Sequence, residues 1–244
     1  MEVAFAKAPN QAILSTDEGA PTAMNDEPSD AASSVGAVEL AARLAGRMCH
    51  DYISPAGAIV SGLELLDDPT APEMSEDAMK LIADSARKLL ALLKFDRVAL
   101  GVSTSAETFR TRELFQLTHD LFAHARAELD WRVEPESLDK SAARVLLNLA
   151  QVALGALPAG GLAKVEVVIE DGDLVASADA RGPRARLRPA VIEGLSGARL
   201  SEGLSGQWVQ AYYLRSIVDE LGGSLTFEAT DKRVSVQIRW SPRA

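Results

Sequence analysis

The stretch MCHDYISP, residues 48–55, lies inside a longer run with helical periodicity. Apolar residues recur at steps of three or four along that run, which is the period of an amphipathic helix. They are Ala41, Ala45, Met48, Tyr52, Ala56, Ile59, Leu63 and Leu66. The spacing predicts a helix over 37–66. Pro55 stands in its interior, where proline removes a backbone N–H donor and costs about 3 kcal/mol relative to alanine. The apolar pattern does not account for that proline.

A second helix is predicted after a short acidic turn. The turn, residues 67–72, contains Pro69 and Pro72, and Ser75 followed by two acids suits the start of the next helix. The apolar side of this helix consists of Leu81, Ile82, Ser85, Leu89, Leu92 and Leu93. Each helix of such a hairpin has only one facing surface to bury. We therefore expect the hairpin to pair with a second copy as an intermolecular four-helix bundle in a homodimer.

His50 is predicted to lie on the polar face of the first helix, opposite the apolar stripe. Small residues on that face, such as Gly46, Ser54 and Gly57, would let another protein surface approach closely. The other residues within about 60° of His50 on the helical wheel are Glu39, Arg43, Arg47, Ser61, Glu64 and Asp68. His119, which also precedes an aspartate, lacks the serine and proline that follow His50, and we interpret it as structural.

The remainder of the chain mixes helices with strands. The patterns predict helices at 111–128, 139–157 and about 206–221, strands near 131–133, 163–170, 173–179, 224–229 and 233–240, and a basic loop before the last helix. Asp171-Gly172 between apolar runs predicts a tight hairpin turn. Helices alternating with a mostly antiparallel sheet predict an α+β sandwich.

Composition and charge narrow the classes of function. The 244 residues include 25 Lys and Arg against 35 Asp and Glu, which argues against a protein that envelops nucleic acid or coats an anionic membrane. Residues 1–34 carry six of the acids and one lysine, together with three prolines. That composition predicts a disordered acidic leader. A single cysteine and no apolar run of about 20 residues favour a cytoplasmic protein.

These patterns predict three parts of the chain. Residues 1–34 form the leader, residues 35–101 the helical hairpin that dimerises, and residues 106–244 the α/β sandwich.

The motif around His50 resembles a known one. His50-Asp51-Tyr52-Ile53-Ser54-Pro55 resembles the H-box of histidine kinases, in which a phosphorylated histidine is followed by an acid, then by Ser, Thr or Asn at the fourth position and Pro at the fifth. All three accessory positions match. The resemblance implies that the catalytic residues are His50 as phosphoacceptor, Asp51 as the carboxylate that orients its ring, and Ser54 as a hydrogen-bond donor to the phosphoryl group.

The sandwich resembles the ATP-binding domain of histidine kinases without its nucleotide-binding residues. Residues 144–153 resemble the N-box, with Val152 at the position of the asparagine that holds Mg²⁺, and valine offers no oxygen ligand. Residues 179–183, from Asp179 to Pro183, resemble a damaged glycine loop, with Arg184 where a second glycine would stand. The expected fold is therefore a histidine-kinase-like sandwich that has lost nucleotide binding.

Across about 36–242 the chain is similar to the ChpT family of bacterial histidine phosphotransferases. The residues that carry this similarity are Cys49-His50-Asp51 through Pro55, Ser61 to Leu66, the Leu-Leu-Asn-Leu stretch at 146–149, and Gly182-Pro183-Arg184-Ala185-Arg186. The resemblance implies a homodimer that takes phosphate from the receiver domain of a hybrid histidine kinase onto His50 and passes it to response-regulator receivers. It implies no ATP, no metal or cofactor on this chain, and Mg²⁺ on the receiver. The implied receiver contacts are Arg43, Arg47, Gly57 and Ser61 on the first helix and Arg184, Arg186 and Leu187 in the basic loop.

Two other functions stay open at the level of sequence. One is an ATP-dependent histidine kinase with an atypical pocket, which Val152 disfavours. The other is a scaffold that binds receivers without passing phosphate, which the complete set of His50, Asp51, Ser54 and Pro55 disfavours.

Overall fold

The hairpin is formed by two long helices. In the computed structural model, which describes residues 35–68, 72–102 and 107–242, α1 (Ala37–Asp67) continues unbroken past Pro55 and α2 (Ser75–Ala99) follows a 3₁₀ turn at Pro72–Met74. The two helices pack closely at Gly62, where a Cβ atom would lie 2.6 Å from Cγ1 of Ile82. The predicted helix over 37–66 is confirmed. The predicted leader lies outside the described residues.

The first turns of α1 extend beyond the end of α2. Tyr52 of α1 donates a hydrogen bond to Asp96, near the last turn of α2. Residues of α1 that precede Met48 therefore have no α2 residue to pack against. Ala41 and Ala45, which we expected in the buried stripe, are exposed, and so is Leu63. That part of the expectation is wrong.

The second region is built around one five-stranded sheet. Its elements are β1 (Thr108–Arg110), α3 (Thr111–Phe122), β2 (Ala127–Val133), β3 (Ser137–Asp139), α4 (Lys140–Gly155), β4 (Gly161–Glu170), β5 (Asp173–Arg181), α5 (Pro189–Leu195), α6 (Ser205–Glu220), β6 (Ser224–Thr230) and β7 (Arg233–Trp240). The strand order is β2-β4-β5-β7-β6, in which β2 and β4 are parallel and the other pairs antiparallel. β1 and β3 form a separate antiparallel pair. The predicted α+β sandwich is confirmed.

The core lies between this sheet and helices α3, α4 and α6. Alternate residues of β5, such as Ala176 and Ala178, face the helices and are buried. The end of α2 joins the same core through Phe95 and Ala99. Asp139 starts α4 by accepting hydrogen bonds from the backbone N–H groups of Ser141 and Ala142, as N-terminal caps do.

The tight hairpin turn predicted at Asp171-Gly172 is confirmed between β4 and β5. Asp171 and Gly172 both have positive φ, at 54° and 88°, as a two-residue type I′ turn requires.

Three details of the predicted elements are wrong. The helix expected over 111–128 ends at Phe122, and the following residues enter β2. The three-residue strands β1 and β3 were not expected. The predicted basic loop contains α5, whose first residue is Pro189. Each missed element has at most seven residues, too few for a hydrophobic period to establish itself.

Residues 35–68, 72–102 and 107–242 contain neither a bilayer-length apolar helix nor a cluster of three acidic, histidine or cysteine residues arranged to hold a metal ion.

Candidate functional site

His50 projects from the middle of α1 into solvent. Its side chain is 87% exposed, and Nδ1 lies 3.2 Å from Oδ1 of Asp51, whose side chain is 32% exposed. A hydrogen bond between these atoms places the proton on Nδ1 and leaves Nε2 as the exposed nitrogen with a lone pair. The structure therefore places the predicted phosphoacceptor and its predicted orienting carboxylate in contact.

A groove lies beside His50, between α1 and the first turn of α6. It encloses about 750 Å³ and is lined by Arg43, Gly46, Arg47 and His50 from α1 and by Ser205 and Gly206 from α6. Two of the lining residues, Gly46 and Gly206, have no side chain to project into the groove. A partner side chain or loop can reach His50 along this groove.

Arg43 holds α1 against α6. Its guanidinium donates to Oε1 of Glu39 at 2.8 Å and to Oγ of Ser205 at 3.2 Å, and lies 5.1 Å from the centre of the Trp208 ring. A guanidinium over an indole face is attracted by the ring quadrupole. Arg43 was predicted as a receiver contact, and much of its donor capacity is used within the chain.

Arg47 is less exposed than Arg43, and its guanidinium contacts three residues of the chain. Its side chain is 19% exposed, with Nε 3.3 Å from Oδ2 of Asp51 and Nη1 donating to the carbonyl of Gly206 at 3.2 Å and to Oε1 of Gln210 at 2.7 Å. This predicted receiver contact therefore joins α6 to the residue that contacts His50.

Ser54, Gly57 and Ser61 are exposed on α1. Ser54 lies one helical turn after His50, and the other two follow at roughly 10 and 16 Å along the axis. They extend the accessible face of α1 beyond the groove.

The three predicted receiver contacts in the basic loop differ in their exposure to solvent. Arg184 and Arg186 are exposed, whereas the Leu187 side chain is only 8% exposed and packs in the core. The backbone N–H of Arg186 donates to the carbonyl of Ala156 at the end of α4. Arg186 also lines a small cavity with Arg47, so the structure brings the loop and α1 together at this point.

That cavity occupies the position predicted for the lost nucleotide site. It measures about 80 Å³ and is lined in part by Val152 and Leu187. Small-molecule sites usually have volumes of about 300–1,000 Å³. The cavity is much smaller than that range.

Asp179 does not face this cavity. It lies on the opposite face of β5 from Ala180, and its carboxylate is 2.8 Å from Nε of Arg181 and 2.6 Å from Nη2 of Arg233. Hydrogen bonds from these two arginines hold the pKa of Asp179 below its usual value. The acid of the predicted damaged glycine loop is thus paired on the outer face of the sheet.

Two polar residues near the site were missed as functional candidates. Gln210 is buried in α6 and Asn148 is fully buried in α4, and Nε2 of Gln210 donates to Oδ1 of Asn148. The available signal was one amide residue within each otherwise apolar run, LLNLA and WVQAYYL. A buried amide in such a run requires a hydrogen-bond partner.

The comparisons with known proteins agree on one family. The family model of the histidine phosphotransferase C-terminal domain matches residues 111–233. The protein phosphotransferase ChpT of Brucella abortus (strain 2308) is 36% identical over 197 residues, which cover 80% of this chain and 93% of that protein. A solved structure of a bacterial phosphotransferase is 33% identical, with a TM-score of 0.75, and the match covers 84% of this chain and 98% of that one. The similarity thus includes both the hairpin and the sheet.

Proposed function

The chain belongs to the histidine phosphotransferase family and is a transferase of a phosphorelay; from this premise we propose that His50 is the residue that carries the phosphoryl group. The observation that supports this assignment most is the geometry of His50, whose exposed ring contacts a carboxylate through Nδ1 and borders the groove between α1 and α6. His119 is also exposed beside an aspartate, but it does not border that groove.

The proposed reaction moves one phosphoryl group between an aspartate and His50. The lone pair of Nε2 forms a bond to phosphorus while the bond from phosphorus to the donor aspartate oxygen breaks, and that oxygen leaves as a carboxylate. The ring then carries positive charge, which the carboxylate of Asp51 balances through Nδ1–H. The reverse steps deliver the group to a second receiver. Orientation and charge neutralisation dominate such transfers.

We assign supporting roles to the neighbouring groups. Ser54, one turn from His50 on the exposed face, is placed to donate to a phosphoryl oxygen. Mg²⁺ is expected on the receiver domain, whose phosphorylated aspartate needs it, and we expect no resident metal or cofactor on this chain.

The proposed partners are the receiver domain of a hybrid histidine kinase and the receivers of response regulators, in the cytoplasm. Receiver pockets that bind Mg²⁺ are acidic, and the exposed Arg184 and Arg186 supply complementary charge. Arg186 shares a small cavity with Arg47, which also lines the groove. Such complementarity mainly speeds encounter and fixes orientation. Gly57 and Ser61 extend the same face of α1.

ATP is not expected to be the phosphoryl donor. Val152 and Leu187 line a cavity of only about 80 Å³ at the predicted nucleotide position. The carboxylate of Asp179 is paired on the other face of the sheet. These features support transfer from a receiver rather than autophosphorylation.

The first prediction concerns His50→Gln, which keeps a polar side chain but removes the nucleophile. Incubated with a phosphorylated receiver domain and Mg²⁺, the native protein should gain acid-labile, base-stable phosphate. His50→Gln should gain none above background, because the amide nitrogen of glutamine has its lone pair delocalised into the carbonyl and cannot attack phosphorus. Phosphate retained on the protein after the receiver is removed is the measurement.

His119→Gln is the matched control, because His119 is likewise exposed beside an aspartate. This variant should accept phosphate at the native rate. Undiminished acceptance by His50→Gln would refute the assignment, and so would loss of acceptance in the control alone.

A further inference from the structure

We propose that Arg47 and Gln210 are positioning residues that hold Asp51, and through it the His50 ring, from α6. This inference rests on the proposed role of His50 and deepens it. It makes α6 part of the machinery that orients the nucleophile.

The contact between His50 and Asp51 is not a natural consequence of helix geometry. Adjacent residues point about 100° apart around a helix and do not face one another, whereas residues four apart do. Nδ1 of His50 nevertheless lies 3.2 Å from Oδ1 of Asp51. The contact therefore depends on what holds the Asp51 carboxylate in place. Arg47 is four residues before Asp51 and reaches its other oxygen, Oδ2, at 3.3 Å.

An Arg47–Asp51 pair alone would restrain little. A solvent-exposed pair at this spacing contributes little to stability, because two long side chains lose freedom when they pair. Here Nη1 of Arg47 is already fixed by the carbonyl of Gly206 and by Oε1 of Gln210, both from α6. The contacts with α6 thus restrain the guanidinium independently of its contact with Asp51.

Gln210 is in turn held in one orientation. Nδ2 of Asn148 donates to the carbonyls of Ala99 and Arg144 at 2.8 and 2.7 Å, and carbonyls can only accept. Oδ1 of Asn148 must then accept, so the neighbouring nitrogen of Gln210 must donate to it. This arrangement leaves Oε1 of Gln210 facing Arg47, which can only donate.

The order of donors and acceptors is therefore determined at both ends of the chain of contacts. It runs from two backbone carbonyls through Asn148, Gln210 and Arg47 to the carboxylate of Asp51. Asn148 and Gln210 are buried, where each missing hydrogen bond has a large cost. A change at Gln210 should consequently alter the orientation of the His50 ring, although the two side chains do not touch.

Two variants test this proposal on the full chain. Gln210→Met keeps length and removes both polar contacts. Arg47→Lys keeps the charge at a partly exposed site, where folding is less at risk, but offers one nitrogen in place of a fork that contacts three acceptors. Gln151→Met is the matched control, because Gln151 lines the same cavity as Gln210 and its side chain forms no hydrogen bond to another described residue.

The first readout is the tautomer of the His50 ring, measured by ¹⁵N NMR with His50→Gln identifying its signals. We expect the Nδ1–H form to predominate in the native chain and in Gln151→Met. Both Gln210→Met and Arg47→Lys should shift His50 toward the Nε2–H form. This measurement needs no receiver, so it tests the relay even if another histidine accepts phosphate.

The second readout is the dependence of transfer rate on receiver concentration. We expect the maximal rate to fall roughly tenfold or more in both variants, as misplacement of a reacting group does, while the half-saturating receiver concentration stays within about twofold. A raised half-saturating concentration with an unchanged tautomer in Arg47→Lys would assign Arg47 to receiver docking and overturn the proposal. A native tautomer in folded Gln210→Met would also overturn it.

Discussion

At the scale of single residues, the contact between Tyr52 and Asp96 stabilises the hairpin near the site. The Tyr52 hydroxyl donates to Oδ2 of Asp96 at 2.7 Å. Burial raises the pKa of the Asp96 carboxyl, and burial together with this hydrogen bond raises the pKa of Tyr52. Removing the hydroxyl would leave a buried carboxyl without its donor.

Tyr52→Phe should lower the free energy of unfolding at pH 7 by about 1–3 kcal/mol, the usual effect of leaving a buried polar group unpaired. It should also change the response to alkali. The unfolded tyrosine ionises at about pH 10 while the folded one keeps its proton to higher pH, so the folded state binds more protons and stability falls as pH rises above that value. This component should be absent from Tyr52→Phe.

Urea unfolding at pH 8 and pH 10.5 measures both effects. Tyr212→Phe is a suitable comparison, because this variant retains Tyr52 and should still lose stability at alkaline pH when Tyr52 ionises in the unfolded state. If Tyr52→Phe loses as much stability between the two pH values as the native chain, the hydroxyl of Tyr52 is not held neutral by its contact with Asp96.

At the scale of elements, two glycines of α1 are used differently. A Cβ at Gly62 would lie 2.6 Å from Cγ1 of Ile82 and 3.2 Å from the carbonyl oxygen of Ala78, both on α2. A Cβ at Gly57 would meet nothing within 4 Å. The first glycine therefore sets the distance between the helices, and the second does not.

Alanine at these two positions should have opposite effects. Gly62→Ala should reduce the free energy of unfolding by roughly 1–3 kcal/mol, because the helices must move apart. Gly57→Ala should increase it by about 0.5–1 kcal/mol through helix propensity alone. Denaturant unfolding of the two variants and the native chain gives the comparison. Equal effects of the same sign would contradict close packing at Gly62.

How much of each element the sequence predicts depends on the length of its pattern. The apolar period of α1 extends over about seven turns, and its predicted end lies one residue from the observed Asp67. α5 and the strands β1 and β3 are too short to show a period. The relay from Asn148 to His50 joins three elements distant in sequence. Periodicity shows which side chains are buried, but not which buried amides meet.

The placement of Asp179 could have been predicted. Leu174, Ala176, Ala178 and Ala180 alternate along β5, and a period of two places Asp179 on the other face.

At the scale of the whole molecule, the sides of α1 have different tasks. One side packs on α2 through residues such as Gly62, another contacts α6 through Arg43 and Arg47, and His50 lies on the exposed face beside that contact. An apolar groove of about 470 Å³ remains along the hairpin, lined in part by Met48, Tyr52, Leu90 and Leu93. Leu90 and Leu93 are exposed. Exposed apolar grooves of this kind are typical of interaction sites.

Leu93→Glu should convert the expected homodimer to a monomer. Burial of one leucine contributes about 1.5–3 kcal/mol, and a two-fold interface contains each substitution twice. The dissociation constant should therefore rise roughly 10²- to 10⁴-fold, at about 1.4 kcal/mol per tenfold change. Light scattering after size exclusion at micromolar concentration measures the mass.

Ile169→Glu is the control, because Ile169 is an exposed apolar residue near the end of β4, and it should leave the dimer intact. A native dimer mass for Leu93→Glu, or a monomer in the control alone, would place the interface elsewhere, because a glutamate cannot remain in a dry helical interface without a partner charge.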